Sequence, residues 1–125
     1  ALGRAWDGSK VTADIIVEHN GKLVGNPNAG TDMNFNFLQL IAHAALTRPL
    51  GAGTIVGSGT VSNSERSRGS ACLAEVRPIE TIDDGAPKTP FMAFGDRVRI
   101  DMLDDDGRSI FGAIDQRVVK YVPPK

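Results

Sequence analysis

Glu75 closes the stretch Gly69-Ser-Ala-Cys-Leu-Ala-Glu75 as a lone carboxylate among small and apolar neighbours. A charged group in such surroundings must be paired, exposed at a site, or shifted in pKa. The last two conditions are those a site imposes on an acid or base. The bland alternative is a structural ion pair with a cation such as Arg77 or Arg99, since buried charges readily pair. A short way upstream, Gly57-Ser-Gly-Thr-Val-Ser62 mixes β-branched residues with glycine. That mixture is typical of a strand that another backbone or a ligand approaches closely.

Other groupings that suggest chemistry fail on spacing. Asp104-Asp-Asp-Gly107 hints at a calcium loop, but with Gly107 as the sixth residue the first ligand position falls on Met102, which has no oxygen to offer. A solvated hairpin tip accounts for it. Gly51-Ala-Gly53 and Gly57-Ser-Gly59 follow a helical pattern and lead into strand, the reverse of the order that aims amide groups at a phosphate. Ser58 has Val56 where a nucleophile elbow requires glycine, and no helix follows it. His43 lies beside apolar positions of a helix and His19 in a hairpin turn, both ordinary structural places for histidine. With these two histidines and one cysteine, no paired spacing for zinc arises. Trp6 and Tyr121 form no stacking platform among basic residues.

The elements that would position Glu75 and the glycine-rich segment follow from periodicity and turn chemistry. Val11 to Glu18 and Lys22-Leu-Val flank His19-Asn20-Gly21, and Asn-Gly readily takes the positive φ angles of a two-residue hairpin turn. After the turn formers Asn26 to Gly30, Asn36 and Gln39 have the spacing of a capping box. The helix they open carries Phe37, Leu38, Leu40, Ile41, Ala44 and Ala45 on a broad apolar face and stops before Arg48-Pro49. It is expected to be the one substantial helix. Thr54 to Val61 reads as strand, Asn63 to Gly69 as an exposed polar loop, and Cys72 to Ile82 as a strand bent or interrupted at Pro78. Asp83 to Pro90 is turn-rich. Arg97 to Leu103 alternates polar and apolar in the period of a half-buried strand. Asp106-Gly107 turns the chain, Ser109 to Val119 returns antiparallel, and Tyr121 to Lys125 is a tail.

Composition bounds the rest. The 125 residues are 41% hydrophobic and 23% charged with a net charge of −1, enough for one small core at most. That balance gives no basic face for nucleic acid or an anionic membrane. The single Cys72 cannot close an internal disulfide, which points to the cytoplasm. There is no long apolar run and no basic-then-apolar leader pattern, so membrane association is not expected.

The two opening segments, followed by Thr89-Pro-Phe-Met-Ala-Phe-Gly-Asp96 and Ser109-Ile-Phe-Gly-Ala-Ile-Asp-Gln116, resemble the C-terminal part of the fumarylacetoacetate hydrolase family. Asp32-Met33, Phe35, Leu40-Ile-Ala42, Ser58-Gly-Thr60, Glu75 and Phe94-Gly-Asp96 stand in the family's order. Phe111-Gly-Ala-Ile-Asp-Gln116 is similar to bacterial members. The resemblance implies a mostly β fold with one helix, part of a mixed β-sandwich roll. It also implies a parental enzyme that cleaves C–C bonds in acylpyruvate or fumarylacetoacetate-like β-dicarbonyl acids with a divalent ion, Mg²⁺ or Mn²⁺. Thr60, with Gly59 beside it, would bind substrate oxygen at the mouth of the roll. Glu75 would be catalytic, pairing with a histidine that activates water. The family's Glu-x-Glu metal ligands, its histidine and its lysine lie upstream of the matching region and have no counterpart here. Residues 1–125 are therefore expected to be a C-terminal segment that is inactive and metal-free alone, needs the upstream half of its domain, and belongs to a homo-oligomer. The competing expectation is a non-catalytic β module that binds a protein partner through exposed strand edges.

Overall fold

Asn20 and Gly21 take φ angles of 52° and 75°, the left-handed pair that a tight hairpin turn requires. They join β1 (Asp14–His19) to β2 (Lys22–Gly25), as Asn-Gly predicts. This hairpin belongs to a computed structural model that describes residues 3–124. The other strands are β3 (Arg97–Leu103) and β4 (Ile114–Arg117), and the antiparallel sheet runs β2-β1-β3-β4. Gly107, at φ 76°, completes the turn after β3. Asp104 Oδ1 accepts from the amides of Asp106 and Arg108 at 3.0 and 2.8 Å, so the acidic run spends its first carboxylate on its own turn.

Register divides the sheet into two unlike faces. Ile15 lies opposite Met102, Val17 opposite Ile100, and Ile100 opposite Ile114, giving an apolar face. The other face holds Glu18 opposite Arg99 and Arg99 opposite Asp115. Arg99 donates to Asp101 at 2.7 Å and lies 3.7 Å from Glu18, while Arg97 Nε donates to Asp115 at 2.6 Å. Solvent-exposed pairs such as Arg97–Asp115 contribute little to stability, and although the Asp101 carboxylate is buried, most of the stability must come from the apolar face. That face is thinly covered: among the described residues only Ala13 and Val17 are buried hydrophobics. The chain exposes 9024 Å², against about 6,500 Å² for a compact monomer of its mass.

α1 (Phe37–Ala45) begins as its sequence predicts. The Gln39 amide donates to Asn36 Oδ1 at 3.0 Å and the Asn36 amide to Gln39 Oε1 at 2.9 Å, a complete capping box. The chain departs from expectation at α2 (Leu73–Asp84), a helix of 12 residues where a bent strand was expected. The fold is therefore mixed α/β rather than mostly β with one helix. Val76, Ile79, Thr81 and Ile82 favour strand locally and Pro78 removes a helical donor, yet the tertiary partners require helical spacing. Glu80 accepts from the Lys88 and Thr89 amides at 2.7 and 2.9 Å. One turn back, Arg77 lies over the Phe91 ring at 4.4 Å and donates to the Thr89 carbonyl. One turn on, Asp84 pairs with Lys88 at 3.0 Å. Gly85 caps the helix at φ 83° with its amide on the Thr81 carbonyl. A second correction concerns residues 54–61, which join no strand ladder. Glycines at 57 and 59 and the absence of a partner leave the stretch irregular, with Ile55 94% exposed.

The turn before β3 is fastened to the first hairpin. Asp96 accepts from the Asn20 amide group at 2.9 Å and the Ala93 backbone at 2.8 Å, and lies 2.8 Å from His19 Nε2. His19 thus links two turns. These contacts, the Asn20 bond first, hold the Asp96 carboxyl at about 2. With the folded value below the unfolded one, near 3.9, the stabilisation is present above about pH 4 and is lost as pH falls toward 2. Asp96→Asn should flatten the acid limb of the unfolding midpoint plotted between those pH values. An acid limb identical to that of the parent chain would show that Asp96 contributes nothing to it.

Candidate functional site

Asn28 organises one wall of the cleft that holds Thr60. Its Oδ1 accepts from the Gly30 and Thr31 amides at 3.0 Å each, folding the loop after β2, and its Nδ2 donates to Asp14 at the start of β1 at 2.9 Å. Asp14 also pairs with Arg68 at 2.9 Å, so the loop is held to the sheet. The opposite wall is the irregular stretch from Ser58 to Ser64, and the cleft between them encloses about 460 Å³. Thr60 and Gly59 line it together with the hydroxyls of Thr31, Ser58 and Ser62, while Met33, Phe35 and Leu40 of α1 supply an apolar side. Asp32 is the only ionisable lining residue, and its carboxylate already accepts from the Ser64 amide at 2.8 Å. Such a cleft can bind and orient oxygen atoms through neutral donors. Its one carboxylate, Asp32, is turned in part to closing the loop.

Glu75 lies elsewhere. It sits in the first turn of α2, not in a strand, and it is not among the residues lining the cleft. Its Oε2 is buried with no hydrogen-bond partner among the described residues, and burial raises its pKa above the ordinary glutamate value. The expected alternative of a pair with Arg77 or Arg99 does not form: Arg77 is engaged by Thr89 and Phe91, and Arg99 by Asp101 and Glu18. Close glycine contacts hold the residues just ahead of α2 to the edge of the sheet. Gly25 at the end of β2 bridges to Gly69; a Cβ on Gly25 would collide with the Ser70 backbone nitrogen, and one on Gly69 would meet the Val24 carbonyl oxygen at 2.5 Å. The sheet edge thereby sets the approach of the segment that carries Glu75.

Of the residues the sequence singles out, Thr60 and Gly59 line the cleft and Glu75 does not, and the side chains that hold the cleft were not among them. Asn28, Asp32 and Asn63 stand in stretches that read as polar loop. The usable signal was Asn26-Pro-Asn28, since asparagine after proline favours side-chain-to-backbone turns. Among the described residues no group of three or more His, Cys, Asp or Glu could hold a metal ion, so the donors present do not fit a divalent cation. No helix among them is long and apolar enough to cross a membrane.

The carboxylate of Glu75 and the cleft lined by Thr60 thus lie in two separate parts of the chain. A profile of the fumarylacetoacetate (FAA) hydrolase C-terminal domain matches residues 3–119, and the chain belongs to this family of metal-dependent hydrolases and isomerases. No curated protein matches it.

Proposed function

We propose that this chain supplies the C-terminal part of the catalytic domain of an enzyme that hydrolyses a C–C bond in acylpyruvate or fumarylacetoacetate-like β-dicarbonyl acids. The observation that carries the reading is the buried, unpartnered Oε2 of Glu75. A desolvated carboxylate costs stability unless it meets a donor, and the donor that suits this position is the imidazole of a histidine outside the chain. Glu75 would orient that imidazole and stabilise its protonated form while it takes a proton from the attacking water. The water oxygen bonds to the carbonyl carbon, the C–C bond breaks with its electron pair moving to the enolate, and the enolate carbon takes up a proton. Thr60 and Gly59 would hold a substrate oxygen at the cleft. The divalent ion that family enzymes use would be held by donors outside this chain.

The uncovered apolar face of the sheet supports completion by further polypeptide into a β-sandwich roll, and supports a homo-oligomer of the completed domain. The fully exposed edge strand β4 favours one other reading, a β module that binds a protein partner by strand addition. Acetylpyruvate cleavage with Mg²⁺ separates the two. The chain joined to its upstream polypeptide should release pyruvate and the 125-residue chain alone should not. Turnover by the isolated chain would overturn the half-site reading, and inactivity of the joined protein would favour the binding module.

A further inference from the structure

Among the described residues, the stretch 55–64 has no strand partner, yet its residues 58–64 form a wall of the cleft. Among the described residues, the hydrogen bonds that tie this stretch to other segments all run through Asn63 and Ser64. Asn63 Oδ1 accepts from the Asn28 amide at 2.7 Å, and its Nδ2 donates to the Asn28 and Thr31 carbonyls at 3.1 Å each. One carboxamide therefore acts as both acceptor and donor across the cleft, with its Nδ2 also 3.1 Å from the Ser62 carbonyl of its own stretch. The Asp32 carboxylate holds the neighbouring Ser64 amide at 2.8 Å from a residue at φ 59°, a conformation that aspartate tolerates better than most residues. The far side of the clamp is not free to move, because Asn28 is bonded to Asp14 of β1. Sheet, Asn28 and Asn63 form one continuous line of hydrogen bonds that ends three residues from Thr60.

We infer that Asn63 is a positioning residue for substrate. By clamping the 55–64 stretch to the Asn28–Thr31 loop, it sets the width of the cleft and the placement of Thr60 against the apolar side formed by Met33 and Phe35. The inference rests on the proposed role of Thr60 in binding substrate oxygen. Loss of the clamp releases one wall, and displacements near 1 Å at a binding group are enough to cost up to about 100-fold in efficiency. The Asn63 carboxamide is spent on backbone groups, so its effect is expected in KM more than in kcat.

The test uses the full-length polypeptide containing this chain, with acetylpyruvate as probe and three variants: Asn63→Ala, the milder Asp32→Asn, and Thr60→Val. Amide hydrogen exchange over residues 55–64 reports the clamp independently of turnover. Asn63→Ala should speed exchange in that stretch and raise KM by roughly 10-fold with kcat within about 2-fold, given the scale of misplacement effects. In a Thr60→Val background its effect on KM should shrink, because the two residues act through one contact. If Asn63→Ala does not fold, Asp32→Asn should show the same pattern at smaller amplitude. Faster exchange with unchanged KM, while Thr60→Val raises KM, would overturn the inference and leave Asn63 a loop-closing residue. An unchanged KM in Thr60→Val would overturn the underlying reading of the cleft, and the inference with it.

Discussion

Replacing Glu75 by Gln should lower turnover of the completed enzyme by roughly 100-fold or more, the scale of a lost general-base contribution, with little change in melting temperature. The substitution keeps the side-chain shape and removes the charge that would stabilise an imidazolium. It strands no partner within this chain, because Arg77 and Arg99 are already engaged by other groups. A structural ion pair would behave in the opposite way, since breaking one costs about 3–5 kcal/mol. The pH dependence adds a second check. Burial raises the Glu75 carboxyl above its ordinary value, so its contribution to stability is full below the unfolded value, near 4.3, and is lost as pH rises through the folded value. The substituted carboxamide would stay neutral throughout, and Glu75→Gln should therefore gain stability relative to the parent chain between acid and neutral pH in urea unfolding. Unchanged turnover with a large fall in melting temperature would remove Glu75 from the site.

Gly69→Ala should destabilise the protein by about 3 kcal/mol or more. Gly69 sits at φ 66° and ψ −154°, a region essentially reserved for glycine that costs other residues about 1–3 kcal/mol. Its Cβ would also stand 2.5 Å from the Val24 carbonyl oxygen, and backbone at both ends of that contact leaves little room for relief. Gly51→Ala is the internal control, since that position has open space and no positive φ, and surface changes of this sort stay within about 0.5 kcal/mol. Equal urea midpoints for the two variants would show that the close Gly25–Gly69 approach contributes nothing particular to stability. If it does contribute, Gly69→Ala should also depress activity in the fraction that remains folded, because Glu75 is carried on α2.

The elements legible in the sequence are those whose determinants are local. Asn20-Gly21 required a particular turn, Asn36 and Gln39 satisfied each other's backbone, and the alternation from Arg97 to Leu103 needed only a half-buried surface; all three form where expected. α2 was illegible because its local preferences and its partners disagree. Val76, Pro78 and Ile82 argue against helix, while Arg77, Glu80 and Asp84 find Phe91, Thr89 and Lys88 only if spaced along one. Gly85 with Pro87 two residues on was the overlooked stop signal. The site follows the same division. Thr60 and Glu75 stand in the family's order and could be singled out from it, but Asn63 acts through carbonyls of residues 28 and 31, a long-range pairing that no local pattern announces.

On the proposed function, the bare Glu75 oxygen is one half of a pair whose other half is a histidine outside this chain. A carbon-detected NMR titration of the Glu75 carboxyl tests it most directly, performed on the 125-residue chain and on the full-length polypeptide. In the chain alone the carboxyl should titrate above the usual glutamate value, as burial dictates. In the full-length protein it should titrate lower, because a protonated imidazole beside it favours the ionised form, and a histidine should titrate higher in the same protein. An equally raised Glu75 titration in both, with no histidine responding, would contradict the account.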